Sequence, residues 1–392
     1  MKILFILGFS NPFPGAGWTR IGFFAEAWSK KGHSVEVLGA LDCRMFRKKG
    51  VQKIGKINIF DIILRIGSSH PLVFILNVTA SLFISIIFLM VRKPNIVLVS
   101  VPPGDVGLGA LLACQLTKTK CIVDYRDRWE DYAISTANTK IQKTFYQTIK
   151  KLMMKLYSSS VGLVTVVPAN ISYLKKQKIE RIRLVPNGAD IRIFKPMQRK
   201  KNSQDFRIVF VGGVGPYYRL DVVVEALELL VTKRLINAKL FIVGGERKTI
   251  TNILQNCNIK DKIVLLGEIS NLRRLSEIIA QSDVGVIPLA GNYIQAKIAL
   301  PVKFFEYCAC GIPVVATVPD DSILAKLIKE NKIGITIPPM DKVKLAEAIH
   351  KIYECKSFRE TASKRARLFI ENNFDRNKIS DIFLRWVEQG NL

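Results

Sequence analysis

The sequence predicts an α/β protein of two doubly wound, Rossmann-like domains, on three observations. Short apolar runs rich in Val, Ile and Leu alternate with helical patterns along all 392 residues. Continuous apolar strands separated by helices are the mark of parallel sheets covered on both faces. The alternation falls into two series of about 170–190 residues, each the size of one doubly wound domain. The composition, 49% hydrophobic with 23% charged residues, supports a large core and excludes wholesale disorder.

In the first series strands are expected at 2–8, 34–40, 96–101, 120–125, 162–167 and 182–186. The opening "MKILFILG" is apolar too briefly for a signal peptide and reads as the first strand. In the second series strands are expected at 206–212, 239–244, 262–267, 284–288, 313–317 and 334–338. The boundary lies in the charged stretch "IRIFKPMQRKKNSQDF". This gives a domain over 1–190, a linker over 191–204, a domain over 205–372 and an amphipathic terminal helix over 373–392. That helix could pack back across the first domain.

Charge is lopsided. Residues 1–200 carry 31 Lys and Arg against 11 Asp and Glu, whereas residues 201–392 carry 28 against 21. A basic half implies a polyanionic partner. The segment "PLVFILNVTASLFISIIFLMV" (71–91) holds 21 residues without a charge and is long enough to span a bilayer. Strand patterns lie on both sides of it, and strands of one sheet cannot be separated by a membrane. It is therefore expected as a core-packed helix or an in-plane membrane helix. Arg44, Arg47, Lys48, Lys49, Lys53 and Lys56 are candidates to meet anionic headgroups. A nucleic-acid partner is not expected, since no reader motif or interleaved aromatic pattern is present. Seven dispersed cysteines, with Cys308 and Cys310 as the one close pair, and three histidines argue against a metal site and for a reducing compartment.

Ligands of doubly wound domains bind at the carboxyl ends of strands, so the loops there carry the candidates. In "GFSNPFPGAGWTR", Gly15 and Gly17 open a helix and would let backbone approach a ligand; a plain loop is the alternative. "DYRDRW" crowds Asp124, Arg126, Asp127, Arg128 and Trp129 at a strand end. Asp127 is the candidate base or acceptor-hydroxyl binder, with Arg126 beside it; a solvated turn is the alternative. In "VFVGGVGPYYRLD", Gly213 and Gly215 could present N–H groups to a phosphate, and Arg219 a charge-assisted bond. In "ALPVKFFEYCACGIPVVAT" a helix is expected over 301–310, its N-terminus suited to a diphosphate. Lys303 lies in its first turn, and Glu306 could accept two ribose hydroxyls. Capping a neighbour, or pairing with Lys303, is the alternative for Glu306.

These residues resemble the GT-B glycosyltransferases, in particular retaining family 4. "PVKFFEYCACGIPVVAT" resembles that family's P-x-K-x-x-E-Y-x-A-x-G-x-P-V-V signature, and "VPNGAD" its interdomain N-G-x-D element. "VDYRDRW" is similar to the D-x-R-D-x-W of the branch that builds surface polysaccharides. The resemblance implies transfer of a hexosyl-type unit from a nucleoside diphosphate sugar, expected to be a UDP-sugar, to a lipid-linked or glycan acceptor. It implies retained anomeric configuration and no cofactor or metal. Glu306 would bind the ribose, Lys303 and Arg219 would neutralise the diphosphate, and Arg126 and Asp127 would serve catalysis. The basic first domain would bind the acceptor and dock the enzyme on the cytoplasmic face of the cell membrane. Three departures stand out: Ile298 occupies the place of the first Glu of an E-x7-E pair, Gly213 that of a usual Arg, and Tyr218-Arg219 that of a usual Lys-Gly, for which Arg219 is only an approximate replacement. They leave a non-catalytic glycosyltransferase-like subunit as an alternative, beside a nucleotide-sugar epimerase of the same fold.

Overall fold

The structure, a computed structural model, describes residues 1–12, 15–42, 51–198, 205–234, 236–291 and 294–389. The chain forms two compact units, one of Met1–Pro186 with Ser380–Leu392 and one of Asn187–Ile379.

The first unit runs β1 (Lys2–Leu7), α1 (Ala16–Lys30), β2 (Ser34–Asp42), β3 (Val51–Ile54), β4 (Ile57–Arg65), α2 (Pro71–Arg92), β5 (Ile96–Val101) and α3 (Gly104–Leu116). It continues through β6 (Cys121–Tyr125), α4 (Trp129–Ser135), α5 (Lys140–Ser159), β7 (Gly162–Thr165), α6 (Pro168–Lys176) and β8 (Ile182–Leu184). One sheet takes all eight strands in the order β3-β4-β2-β1-β5-β6-β7-β8. Every pairing is parallel except that of β3 with β4, a hairpin closed by Gly55 and Lys56. Strands β1, β5, β6 and β7 are buried almost throughout, as their unbroken apolar runs require.

The hairpin is the part of this sheet that the apolar-run criterion does not find. In β4, "INIFDIILR", Asn58 and Asp61 interrupt the run, and Asp61 is nevertheless buried. Its carboxylate accepts hydrogen bonds from the Asn11 backbone N–H (2.7 Å) and the Ser10 hydroxyl (3.3 Å). A charge that looks like a strand breaker therefore anchors the loop after β1.

Helix α2 matches the uncharged segment. Strands β4 and β5, on either side of it in sequence, belong to the same sheet, and α2 packs along α3 between them. Its packing differs from that of a water-facing helix in its outer face. Asn77, Ser81 and Ser85 face inward together with Phe74, Phe88 and Leu89, while Leu72, Ile75, Leu76, Phe83, Ile87, Met90 and Val91 are exposed. Ser81 Oγ donates to the Val106 carbonyl at 2.8 Å, and Asn77 Nδ2 to Asp105 at 2.8 Å. Gly109 of α3 lies so close to α2 that a Cβ there would sit 2.5 Å from the Val78 carbonyl oxygen.

The second unit runs β9 (Phe206–Val211), α7 (Leu220–Thr232), β10 (Ala238–Val243), α8 (Arg247–Ile253), β11 (Ile263–Gly267), α9 (Leu272–Ala280) and β12 (Val284–Pro288). Then come α10 (Ile294–Ile298), α11 (Val302–Ala309), β13 (Val314–Thr317), α12 (Ile323–Glu330), β14 (Gly334–Ile337), α13 (Lys342–Glu354) and α14 (Lys356–Asn373). Its six strands are all parallel, in the order β11-β10-β9-β12-β13-β14. The terminal helix α15 (Arg376–Glu388) begins in this unit and ends in the first. Within the first unit, Phe383 packs edge-on against Phe24 and Trp28, and the Trp28 indole N–H donates to Ser380 Oγ at 3.1 Å.

Candidate functional site

Each sheet has one topological switch point, where strand order reverses, and ligands of open α/β sheets bind there. In the second unit it lies between β9 and β12. The turn after β9 carries Gly212, Gly213 and Gly215, and Tyr218 bridges to Leu289 just beyond β12. Helix α11 follows β12 and α10, and its N-terminus has no side-chain cap.

Tyr307 fixes α11 to the end of β9. Its hydroxyl accepts from the Val211 backbone N–H at 2.8 Å, and its ring packs on Gly285 of β12. One turn earlier on the same helix, Lys303 is carried to Gly212, whose missing Cβ would stand 3.1 Å from Nζ. Gly212 has φ +115°, a conformation that favours glycine. Lys303 is buried, and its Nζ has no hydrogen-bond partner among the described residues. It lies 4.3 Å from the centroid of the Phe210 ring and 3.9 Å from that of Tyr218. Burial pulls its pKa down to about 7, with Glu306 opposing. The two aromatic faces also favour the charged form. A boxed ammonium with unmet donors, beside free helix N–H groups, is an anion site in waiting.

Glu306 is buried on the same helix. Burial raises its pKa, and Arg376 and then Lys303 counter the rise. Arg376, at the start of α15, donates to the Gly188 carbonyl. Glu306 and Lys303 form no salt bridge among the described residues. Gly213 and Gly215 have open space where a Cβ would be. Arg219 lies at the start of α7 with its guanidinium on Asp221, Nε to Oδ1 at 2.9 Å, so a phosphate would have to compete with that carboxylate. Phe210 and Arg376 are neighbours that sequence inspection does not single out, and Tyr218 is marked there only as a departure from the family pattern. Ile298 is half-buried on α10. Cys308 and Cys310 are buried thiols, the latter pushed up to about 12 by burial.

In the first unit the switch point lies between β1 and β5. Gly15 precedes α1 in extended conformation. Gly17 lies against Arg126, its absent Cβ 3.0 Å from a guanidinium nitrogen. The five residues of "DYRDRW" divide between structure and surface. Asp124 is buried and paired with Arg20 (Nε to Oδ1 3.0 Å), and it also accepts from Ser100 Oγ at 2.9 Å. Arg128 donates to Asn170 and Ala169 and covers the Tyr173 ring, while Trp129 stacks on Phe74. Arg126 donates to the Pro102 carbonyl with its Nε unpartnered, and burial lowers its pKa. Asp127 is exposed as a residue, yet the protein packed around its carboxyl raises its pKa by burial, with Arg126 opposing and Asp124 adding to the rise. Of the basic residues expected at a membrane, Arg44, Arg47, Lys48 and Lys49 lie outside the described residues.

Known proteins are similar to this chain in sequence pattern and in fold. Residues 192–369 match the family model described as Glycosyl transferases group 1. N-acetyl-alpha-D-glucosaminyl L-malate synthase of Bacillus anthracis is 25% identical over 163 residues, 41% of this chain and 39% of that enzyme. The chain covers less than half the length of the curated relatives it matches. Sucrose-phosphate synthase from Thermosynechococcus elongatus superposes with a TM-score of 0.77 at 16% identity, over 99% of this chain and 98% of that one. Anabaena HepE, solved with UDP and glucose, gives 0.71 at 14% identity, over 99% of each. The chain thus has the two-domain α/β fold of the GT-B glycosyltransferases, and its second unit carries the sequence pattern of glycosyl transferases group 1.

Proposed function

We propose that the chain is a glycosyltransferase. It would move a hexosyl-type unit from a nucleoside diphosphate sugar, a UDP-sugar in the first instance, to a lipid-linked or glycan acceptor with retained anomeric configuration. The observation that carries this reading is Lys303, a buried ammonium without hydrogen-bond partners, held against Gly212 at the β9/β12 switch point. Departure of a nucleoside diphosphate concentrates charge on the β-phosphate, and a fixed cation with helix N–H groups stabilises it without a metal. Glu306 would receive the ribose hydroxyls. HepE, of the same fold, was solved with UDP and glucose. Asp127 and Arg126 would serve the acceptor side, Asp127 as the hydroxyl acceptor.

The first unit would rest on the cytoplasmic face of the cell membrane through the apolar outer face of α2, where lipid-linked acceptors are found. Polar groups packed inward and large apolar groups outward is the arrangement of a lipid-facing helix. Isothermal titration against a panel of nucleoside diphosphates and their sugars tests the donor reading. UDP binding that disappears in Lys303→Met supports it, and indifference to every nucleotide rejects it. Ile298 favours one second reading, a non-catalytic subunit, which UDP binding without sugar-nucleotide turnover would select.

A further inference from the structure

We propose that the hollow at the C-terminal ends of α2 and α3 is a headgroup site for an anionic phospholipid. The inference rests on the reading of α2 as a membrane-facing helix and adds to it a specific place for the lipid's charge. The hollow, about 460 Å³, lies where both helices turn back into β5 and β6. Lys93, Lys118 and Lys120 line it together with Met90, and no acidic side chain does. All three lysines are exposed, and none makes an ion pair among the described residues.

Lysines near helix C-termini need no ligand to explain them, because they offset the helix dipoles. The magnitudes decide otherwise here. Two C-terminal ends bring together about −0.5 charge each, or about one negative charge. Three lysines exceed that by about two positive charges, an excess suited to a phosphodiester. The rim adds the second half of the match. Met90 is 64% and Val91 71% exposed, and Leu116 at the end of α3 is 66% exposed. Met90 belongs both to the hollow's lining and to the apolar stripe that runs along α2 through Phe83 and Ile87. A free phosphate would use the lysines alone, whereas a phospholipid would use both, with its acyl chains along α2 and its phosphate among the lysines.

The test uses the full chain and vesicles of phosphatidylcholine with phosphatidylglycerol, beside phosphatidylcholine alone. The triple variant Lys93→Gln, Lys118→Gln, Lys120→Gln is compared with Lys175→Gln, Lys176→Gln, Lys178→Gln, which removes the same charge at the exposed end of α6. The hollow variant should bind the anionic vesicles about 100-fold more weakly, given the usual contribution of a surface lysine. Its weaker binding to phosphatidylcholine, and its melting temperature, should stay at wild-type values. The control variant should lose several-fold less. Equal losses in the two variants would reduce the effect to general charge and overturn the site, as would an unchanged hollow variant. Competition by inorganic phosphate as effective as by glycerophosphate-headed lipid would overturn the lipid as its occupant. A wild-type chain that ignores both vesicles would sink the membrane reading itself, while UDP titration would still report on the donor site.

Discussion

Lys303 would make the proposed donor site sensitive to pH. Its pKa in the folded chain, about 7, lies below the ordinary lysine value because burial penalises the charge. The unfolded chain therefore holds more protons between about pH 7 and pH 10, so this residue's cost to stability shrinks as pH rises through that window. A diphosphate beside Nζ restores the proton. Nucleotide binding above pH 7 should then take up protons and weaken as pH rises. Calorimetry in buffers of different ionisation enthalpy measures this directly; a buffer-independent enthalpy at pH 8 would contradict it. The titratable groups facing Nζ are Glu306 on its own helix and Tyr218 from the turn after β9, beside the Phe210 ring. Glu306→Gln keeps shape and burial but loses a charged acceptor, worth about 1.5–3 kcal/mol. Affinity for UDP should fall roughly 10- to 100-fold with little change in melting temperature. Lys303 and Glu306 are legible in sequence because they share one helix with a recognisable spacing. The Phe210 and Tyr218 rings and Arg376 are not, because only the fold brings β9, its turn and α15 to α11.

At the scale of elements, α2 is the outlier. Ordinary helices place apolar groups on the core and polar groups in water. In α2 the outer face is apolar, with Phe83 and Ile87 each 60% exposed, while Ser81 and Ser85 are buried beside Phe74, Phe88 and Leu89. Phe83→Ser with Ile87→Ser removes side chains that touch little protein. The double variant should remain folded, with stability within about 0.5 kcal/mol of wild type, as for other surface changes. It should also lose sedimentation with neutral vesicles. Retained sedimentation would place the membrane contact elsewhere. The opposite change, Gly109→Leu, drives a side chain into the Val78 carbonyl and should destabilise the first unit by several kcal/mol. Length and lack of charge reveal α2 in the sequence, but the direction of its faces does not follow from them, since nearly every residue is apolar. The β3–β4 hairpin escapes for the reverse reason. Its buried Asp61 is satisfied by backbone from the loop after β1, a partner 50 residues away.

For the whole molecule, twelve strands are readable as apolar runs, the central ones because parallel sheets bury both their faces; the edge strands β8, β11 and β14 are only partly buried. What is not readable is which charges are structural. Arg20 and Asp124, 104 residues apart, form a buried pair that ties α1 to β6, with Ser100 of β5 as a third member. Asp124→Ala would strand a buried guanidinium and should cost about 3–5 kcal/mol, seen as a lower denaturation midpoint without loss of UDP binding. The terminal helix carries comparable weight. Phe383, Leu384, Trp386 and Val387 are all buried, and at about 2 kcal/mol each they approach the whole stability of a domain. Deleting residues 380–392 should leave the first unit open to proteolysis; a truncated chain as resistant as the full one would contradict that.

The inward polar face of α2 also bears on how the chain is made. The segment leaves the ribosome before α3, whose last residue comes about two dozen positions later. At ordinary rates of synthesis that gap lasts roughly 1–5 seconds. For that interval 21 uncharged residues have neither Gly109 nor the Val106 carbonyl to pack against, and a nearby bilayer is the competing solvent. Asn77, Ser81 and Ser85 penalise full insertion, since hydrocarbon offers them no partner. These buried polar side chains, two of which (Asn77 and Ser81) bond α2 to α3, therefore bias a newborn segment toward lying on a membrane and against passing through it.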